Sequence, residues 1–178
     1  SEITDIRCGI INAEEVLRLD SYALYKKANN LVKQCGTRNA LHIAKEIGIK
    51  VYYEPTFDKL LGMYTFRWNH RLMFLNPHIG EELLQMVAAH ELGHDSEHRE
   101  LAKAEKQGLR EFALFHMKDT TEYEANAFAS HILLDNDEVY SLSRQGYDVV
   151  EIAKTMKADI NLMLIKLQEM NKIGYDFR

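Results

Sequence analysis

The feature that most constrains this chain is the hexapeptide AHELGH at positions 89–94, which places two histidines four residues apart. Leu83 and Val87 precede them at helical spacing, so both histidines extend the apolar face of a predicted helix that starts after Gly80. Side chains four positions apart lie one turn apart on the same face, so both imidazoles can bind one metal ion. Glu91 lies about 100° around the helix, where its carboxylate can act on a water molecule instead of serving as a ligand.

A catalytic zinc site needs a third protein ligand, and the segment TEYEAN at 121–126 offers two carboxylates. Glu122 shares a helical face with Asn126, whose amide can hydrogen-bond a ligand imidazole. Glu124 forms a capping-box pattern with Thr121, which predicts that its carboxylate is directed toward the start of the helix and not toward the metal. Glu122 is therefore the predicted third ligand.

The predicted metal ligands are thus His90, His94 and Glu122, with Glu91 as the general base and Asn126 supporting one imidazole. Two neutral imidazoles and one carboxylate leave a divalent cation with a net positive charge, which lowers the pKa of a water molecule bound to it. Zn²⁺ is the expected cofactor, and Mn²⁺ is compatible with the same ligands.

Peptide hydrolysis also needs a hydrogen-bond donor or cation near the oxyanion of the tetrahedral intermediate. The sequence does not choose among four candidates, which are His131, Tyr64, His70 and Tyr123. His98 follows His94 by four residues and falls on the next turn, at the predicted helix end. His98 could also have a role at the metal. His131 could be a buried structural histidine instead of an oxyanion donor.

Hydrophobic periodicity elsewhere predicts helices, then a small antiparallel sheet, then helices again, which is an α+β domain. The predicted elements are a helix that starts with Ser21 as its N-cap, a helix over 39–47 ended by Gly48, strands over 49–53, 60–66 and 71–75, and helices over 149–156 and 160–170. The strand over 71–75 is expected at a sheet edge, where an extended substrate could pair with it, and the alternative is a core strand that contributes Leu72 and Phe74. We divide the chain into a poorly ordered segment 1–20, a core over 21–135 and a helical portion over 136–178 packed on that core.

Composition excludes several classes of protein. The 178 residues carry 22 basic and 27 acidic side chains, and a net charge of −5 argues against a broad phosphate-binding surface. Lys166 is the only cation in the predicted helix over 160–170, so this helix is expected to pack on the core and not to contact DNA. Cys8 and Cys35 are too few for a disulfide scaffold, and we find neither a signal peptide nor a membrane span, so we expect a cytoplasmic protein.

Two motifs together, AHELGHDSEH and EYEANAFASHILL, resemble those of the ImmA/IrrE family of metallo-endopeptidases. The segments TRNALHIAKEIGIKVYYE, RLMFLN and IAKTMKADINLMLIKLQEMNKIGY also match the layout of that family, so the resemblance covers most of the chain. It implies a zincin-like fold, the ligands and base named above, and Asn126 as a supporting residue. One departure is the sequence LLD at 133–135, where the family usually has Met-Pro, and this touches no ligand.

The best-understood members of this family cleave helix-turn-helix repressors and so release the genes of mobile elements or stress responses. The resemblance therefore implies a zinc-dependent endopeptidase that acts as an anti-repressor on one specific regulatory protein. The alternative is a non-catalytic protein, stabilised by its metal, that inactivates a repressor by binding it.

Overall fold

The computed structural model describes residues 13–105, 108–111, 115 and 120–177 of the chain. Within these residues it contains eight helices and one four-stranded sheet, which confirms the predicted α+β class. The helices are α1 (Ala13–Cys35), α2 (Ala40–Glu46), α3 (Glu81–Glu97), α4 (Arg99–Ala104), α5 (Thr120–Leu133), α6 (Asn136–Arg144), α7 (Val149–Thr155) and α8 (Ile160–Lys172). The strands are β1 (Lys50–Tyr53), β2 (Gly62–Arg67), β3 (His70–Leu75) and β4 (Leu109–Glu111).

The first two helices follow the predicted apolar stripes, with one correction. Helix α1 begins no later than Ala13, so Ser21 is a buried residue within it and not its N-cap. No Gly or Pro interrupts residues 13–20, so nothing ends the helix there. Helix α2 has Asn39 as its N-cap, and Gly48 follows with a φ of +84°, which confirms the predicted end. Residues 1–12, which include Cys8, lie outside the described residues.

The sheet has the strand order β1-β3-β2-β4 and contains the predicted hairpin. Trp68 and Asn69 form its two-residue turn, and their positive φ values of 49° and 60° are those of a type I′ turn. Strand β3 pairs in parallel with β1 and antiparallel with β2, so the sheet is mixed. Because both of its edges are hydrogen-bonded, β3 is a central strand and cannot pair with a substrate, contrary to our expectation for 71–75.

Helices α3 and α5 cross at a very short distance, and this crossing positions the site. A Cβ atom added to Gly93 on α3 would lie 2.7 Å from the Cα atom of Ala125 on α5, so only glycine fits. This close approach explains a glycine inside a helix, where it costs about 1 kcal/mol relative to alanine. Phe128 and Ile132 continue the buried face of α5 into the apolar core.

Asp95, the residue after the predicted ligand His94, fixes α3 to the sheet. It is 3% exposed, and its carboxylate accepts hydrogen bonds from the hydroxyl of Tyr64 on β2 (2.6 Å) and from Arg71 on β3 (3.0 Å). Arg99 on α4 donates to the same carboxylate at 3.1 Å. Three donors offset the desolvation cost of this buried carboxylate, and they hold α3 in a fixed position against the sheet.

Aspartates begin each of the three C-terminal helices. Asp135 caps α6, Asp148 forms a capping box with Glu151 at the start of α7, and Asp159 caps α8. Among the described helices, none combines the length and the apolar character that crossing a bilayer requires.

Candidate metal centre

The three predicted ligands converge in the structure. The Nε2 atoms of His90 and His94 lie 3.0 Å apart. The carboxylate of Glu122 reaches across from α5, with Oε2 at 3.4 Å from the first Nε2 atom and Oε1 at 3.7 Å from the second. Both imidazoles are buried, while the Glu122 side chain is 24% exposed, so the cluster opens toward solvent on the Glu122 side.

These distances fit a metal ion. Ligand atoms about 2 Å from a tetrahedral zinc ion lie about 3.3 Å from one another, and the three observed separations bracket that value. Two neutral nitrogen donors and one carboxylate oxygen form a donor set that zinc accepts in catalytic sites. The residues present could therefore hold Zn²⁺ and leave a coordination position open.

The nitrogen of His90 that faces away from the cluster is held in place by α5. Its Nδ1 atom lies 3.0 Å from the amide oxygen of Asn126, which is the contact that the sequence suggested. A hydrogen on Nδ1 leaves the Nε2 lone pair directed at the cluster, as metal binding requires. Burial lowers the pKa of His94 well below its ordinary value, and the nearby His90 and His98 lower it further, so this ring is neutral.

Glu91, the predicted general base, is fully buried against strand β2. A Cβ atom at Gly62 would lie 2.8 Å from its Oε1 atom and 2.6 Å from Val87, so the carboxylate packs directly on the backbone of β2. Gly62 thus makes room for the base, and no pattern in the sequence had singled it out.

The carboxylate of Glu124 has a different place from the one predicted. Thr121 lies within α5 and Glu124 Oε2 accepts a hydrogen bond from Nε2 of His98 at 2.8 Å, so the capping-box prediction is wrong. The opposite nitrogen of His98, Nδ1, lies 3.0 Å from Nδ1 of His94. The carboxylate of Glu124 could accept from the backbone at the start of α5 or from the imidazole of His98. In the structure it accepts from His98.

The candidate oxyanion donors lie in different surroundings. Tyr64 is completely buried with its hydroxyl donating to Asp95, and the imidazole of His131 is buried beside Lys166. Tyr123 donates to Glu169, and burial together with that carboxylate raises the pKa of its hydroxyl. His70 is exposed at the hairpin turn. In this arrangement Tyr64 and His131 expose no polar atom to a substrate.

Two residues near the centre were missed or undervalued in the sequence. Asp95 carries no spacing signal because its partners come from β2, β3 and α4. His98 does carry one, since it continues the four-residue spacing of His90 and His94 along α3. It contacts the predicted ligand His94 and lies outside the cluster of His90, His94 and Glu122.

Comparison with known proteins identifies the family of this chain. Residues 44–168 match the family model described as the IrrE N-terminal-like domain, a peptidase family. The chain is also 29% identical over 133 residues to the uncharacterized immunity region protein 2 of Bacillus phage phi105, which covers 74% of this chain and 82% of the phage protein. The matched region contains every residue of the metal centre described above, from Gly62 to Asn126. The chain belongs to the family of IrrE N-terminal-like domains.

Proposed function

We propose that this protein is a zinc-dependent endopeptidase that hydrolyses one peptide bond in a specific regulatory protein. The observation that carries the proposal is the convergence of His90, His94 and Glu122 from two helices, beside a buried glutamate that follows the first ligand. A peptidase family supports the reaction class, and the donor set supports zinc, with Mn²⁺ as the compatible substitute.

Each residue of the site has one role in the proposed hydrolysis. A divalent cation in the cluster would polarise the scissile carbonyl and acidify a water molecule. Glu91 accepts the proton from the attacking water and then delivers it to the leaving amine nitrogen, so the proton balance closes on one carboxylate. Asn126 keeps the ring of His90 in the tautomer whose Nε2 lone pair is directed at the cluster. Among the four candidate oxyanion donors, His70 is the exposed one.

We further propose that the substrate is a helix-turn-helix repressor. The phage relative is named for an immunity region, the kind of locus in which a repressor keeps mobile-element genes silent, and this supports an anti-repressor role. Such a repressor acts on DNA in the bacterial cytoplasm, and we place this protein there as well. We expect it to contact the repressor and not the DNA.

The test is cleavage of a repressor encoded beside this chain, followed by mass spectrometry of the products. We expect one defined cut with the wild-type protein and none after a chelator has removed the metal. The variant Glu91→Gln keeps the size and loses the base, so cleavage should fall by about 10²- to 10⁴-fold. Metal content, measured by elemental analysis, should be unchanged.

The same experiment separates hydrolysis from inactivation by binding. If Glu91→Gln still relieves repression in a reporter assay and no fragment forms, the protein acts by binding and the metal is structural. Cleavage by Glu91→Gln at the wild-type rate would rule out the assigned base.

A further inference from the structure

A chain of hydrogen bonds links the predicted ligand His94 to helix α5 through a second imidazole. His98 lies at the junction of α3 and α4 and is 6% exposed. Its Nδ1 atom faces Nδ1 of His94 at 3.0 Å, and its Nε2 atom faces Oε2 of Glu124 at 2.8 Å. The three groups therefore form one continuous series that ends on a carboxylate.

The carboxylate decides where the hydrogens lie in this series. An ionised carboxylate only accepts, so Nε2 of His98 must carry a hydrogen and donate it to Glu124. In a neutral ring the other nitrogen, Nδ1, is then an acceptor, and it accepts from Nδ1 of His94. With its hydrogen on Nδ1, His94 has a lone pair on Nε2, the atom that lies 3.0 Å from Nε2 of His90 inside the cluster.

We propose that His98 and Glu124 are positioning residues that hold His94 in the metal-binding tautomer and strengthen it as a ligand. This inference rests on the metal site of the proposed function. The acceptor for His94 is an imidazole polarised by a carboxylate, whereas the acceptor for His90 is the neutral amide of Asn126. The hydrogen bond from His98 to the ionised Glu124 is stronger than a neutral one and makes His98 a better acceptor. We therefore expect His94 to be the stronger metal ligand of the two histidines.

Two substitutions of His98 separate its two nitrogens. In His98→Asn the amide oxygen replaces Nδ1, so the acceptor for His94 is kept and the link to Glu124 is lost. In His98→Gln the amide nitrogen replaces Nε2, so the link to Glu124 is kept and the acceptor for His94 is lost. If His98 only filled space, the longer Gln side chain would replace it at least as well as Asn. The hydrogen-bond role instead requires that His98→Gln be the weaker zinc binder.

The measurement is zinc affinity of the full chain by competition with a chromophoric chelator. We expect His98→Gln to weaken zinc binding by about 10- to 100-fold, as the loss of an outer hydrogen-bond partner does, and His98→Asn to weaken it by less than about 5-fold. Glu124→Gln keeps an acceptor oxygen for Nε2 of His98 and removes only the charge, so it should weaken zinc binding no more than His98→Asn does. The control is His42→Gln, a change of the same kind at a histidine whose side chain is 55% exposed.

Nitrogen-15 NMR of the histidine rings in the zinc-bound wild-type protein tests the same point without a mutation. We expect the hydrogen of His98 on Nε2 and that of His94 on Nδ1. A hydrogen on Nδ1 of His98, or equal zinc affinity of His98→Gln and wild type, would overturn the inference. A wild-type protein that binds no zinc would instead overturn the proposed function.

Discussion

Buried histidines lie at both ends of helix α5, and the two sites differ in the charge that surrounds the rings. Near its start, Glu122 faces His90 of α3 and Glu124 faces His98 at the end of α3. Near its end, His131 lies with Nδ1 at 3.0 Å from the ammonium of Lys166, and Arg38 donates to its carbonyl oxygen. The first site gathers carboxylates around imidazoles, whereas the second gathers cations.

Burial acts on the rings at both ends in the same way. Desolvation lowers the pKa of His94 and of His131 well below the ordinary value, so both rings are neutral. In the first site the nearby His90 and His98 lower the pKa further, and in the second Lys166 and Arg38 do so. A buried neutral histidine is thus no evidence of a metal site by itself. The anionic partner makes the difference, because a carboxylate offsets the charge of a bound cation, while Lys166 and Arg38 supply no negative charge.

Glu122→Gln tests directly whether the carboxylate distinguishes the two sites. We expect it to have the largest effect on zinc affinity. It removes the only carboxylate of the donor cluster formed by the described residues and keeps its shape. Zinc affinity should fall by more than the roughly 100-fold that the loss of an outer hydrogen-bond partner costs at most. Isothermal titration with zinc measures it, and His131→Gln, at the cationic site, should leave the affinity unchanged. An equal loss in both variants would contradict the distinction.

Gly93→Ala tests whether the helix crossing itself holds the first site together. The added methyl group would lie 2.7 Å from Cα and 2.9 Å from the carbonyl oxygen of Ala125, so α5 must move and take Glu122 with it. We expect a loss of about 1–3 kcal/mol in the free energy of unfolding, measured by urea denaturation, together with weaker zinc binding. Gly80→Ala is the matched control, because a Cβ atom there meets nothing within 4 Å. A Gly93→Ala variant with unchanged stability and zinc affinity would show that the site does not depend on the close approach of α3 and α5.

Lys166→Met probes the site around His131 through pH, with the most gradual effect and none on zinc binding. Burial, helped by Arg38 and opposed by Asp135 and Glu169, lowers the pKa of Lys166 from 10.5 to about 7. Between those values the unfolded chain binds a proton that the folded chain does not, so the stability of the wild type rises with pH from about 7 to 10.

The slope from one such proton is at most about 1.4 kcal/mol per pH unit, and it should disappear in Lys166→Met. Thermal melts over this pH range measure it, with the exposed Lys154→Met as a control that keeps the slope. A slope that survives in Lys166→Met would assign it to other groups.

Much of the metal centre was readable in the sequence because it depends on local periodicity. The four-residue spacing of His90 and His94 determines that both rings share a face of one helix, whatever the rest of the chain does. The spacing of Glu122 and Asn126 likewise predicted one face of α5, and both side chains do lie against the histidines. The family resemblance drawn from these motifs is confirmed by the match over residues 44–168.

Two of the wrong predictions concern partners that are distant along the chain. The capping box of Thr121 and Glu124 satisfies a local rule, but a histidine 26 residues earlier takes the carboxylate. The edge position expected for the strand over 71–75 is also wrong, since a hairpin alone shows only one of a strand's two neighbours. Its second neighbour, β1, pairs with it in parallel and becomes known only when the sheet is assembled. The three-residue β4 is too short to show any alternation.

The sequence by itself determined which residue types share a helical face, since helix geometry repeats every 3.6 residues and needs no further information. It therefore determined the two imidazoles and the candidate acid. Only the tertiary structure decided that Gly93 lets two backbones approach closely enough for that acid to reach the rings. It likewise decided that His98 supports a ligand, because hydrogen bonds between helices depend on packing distances that no spacing along the chain encodes.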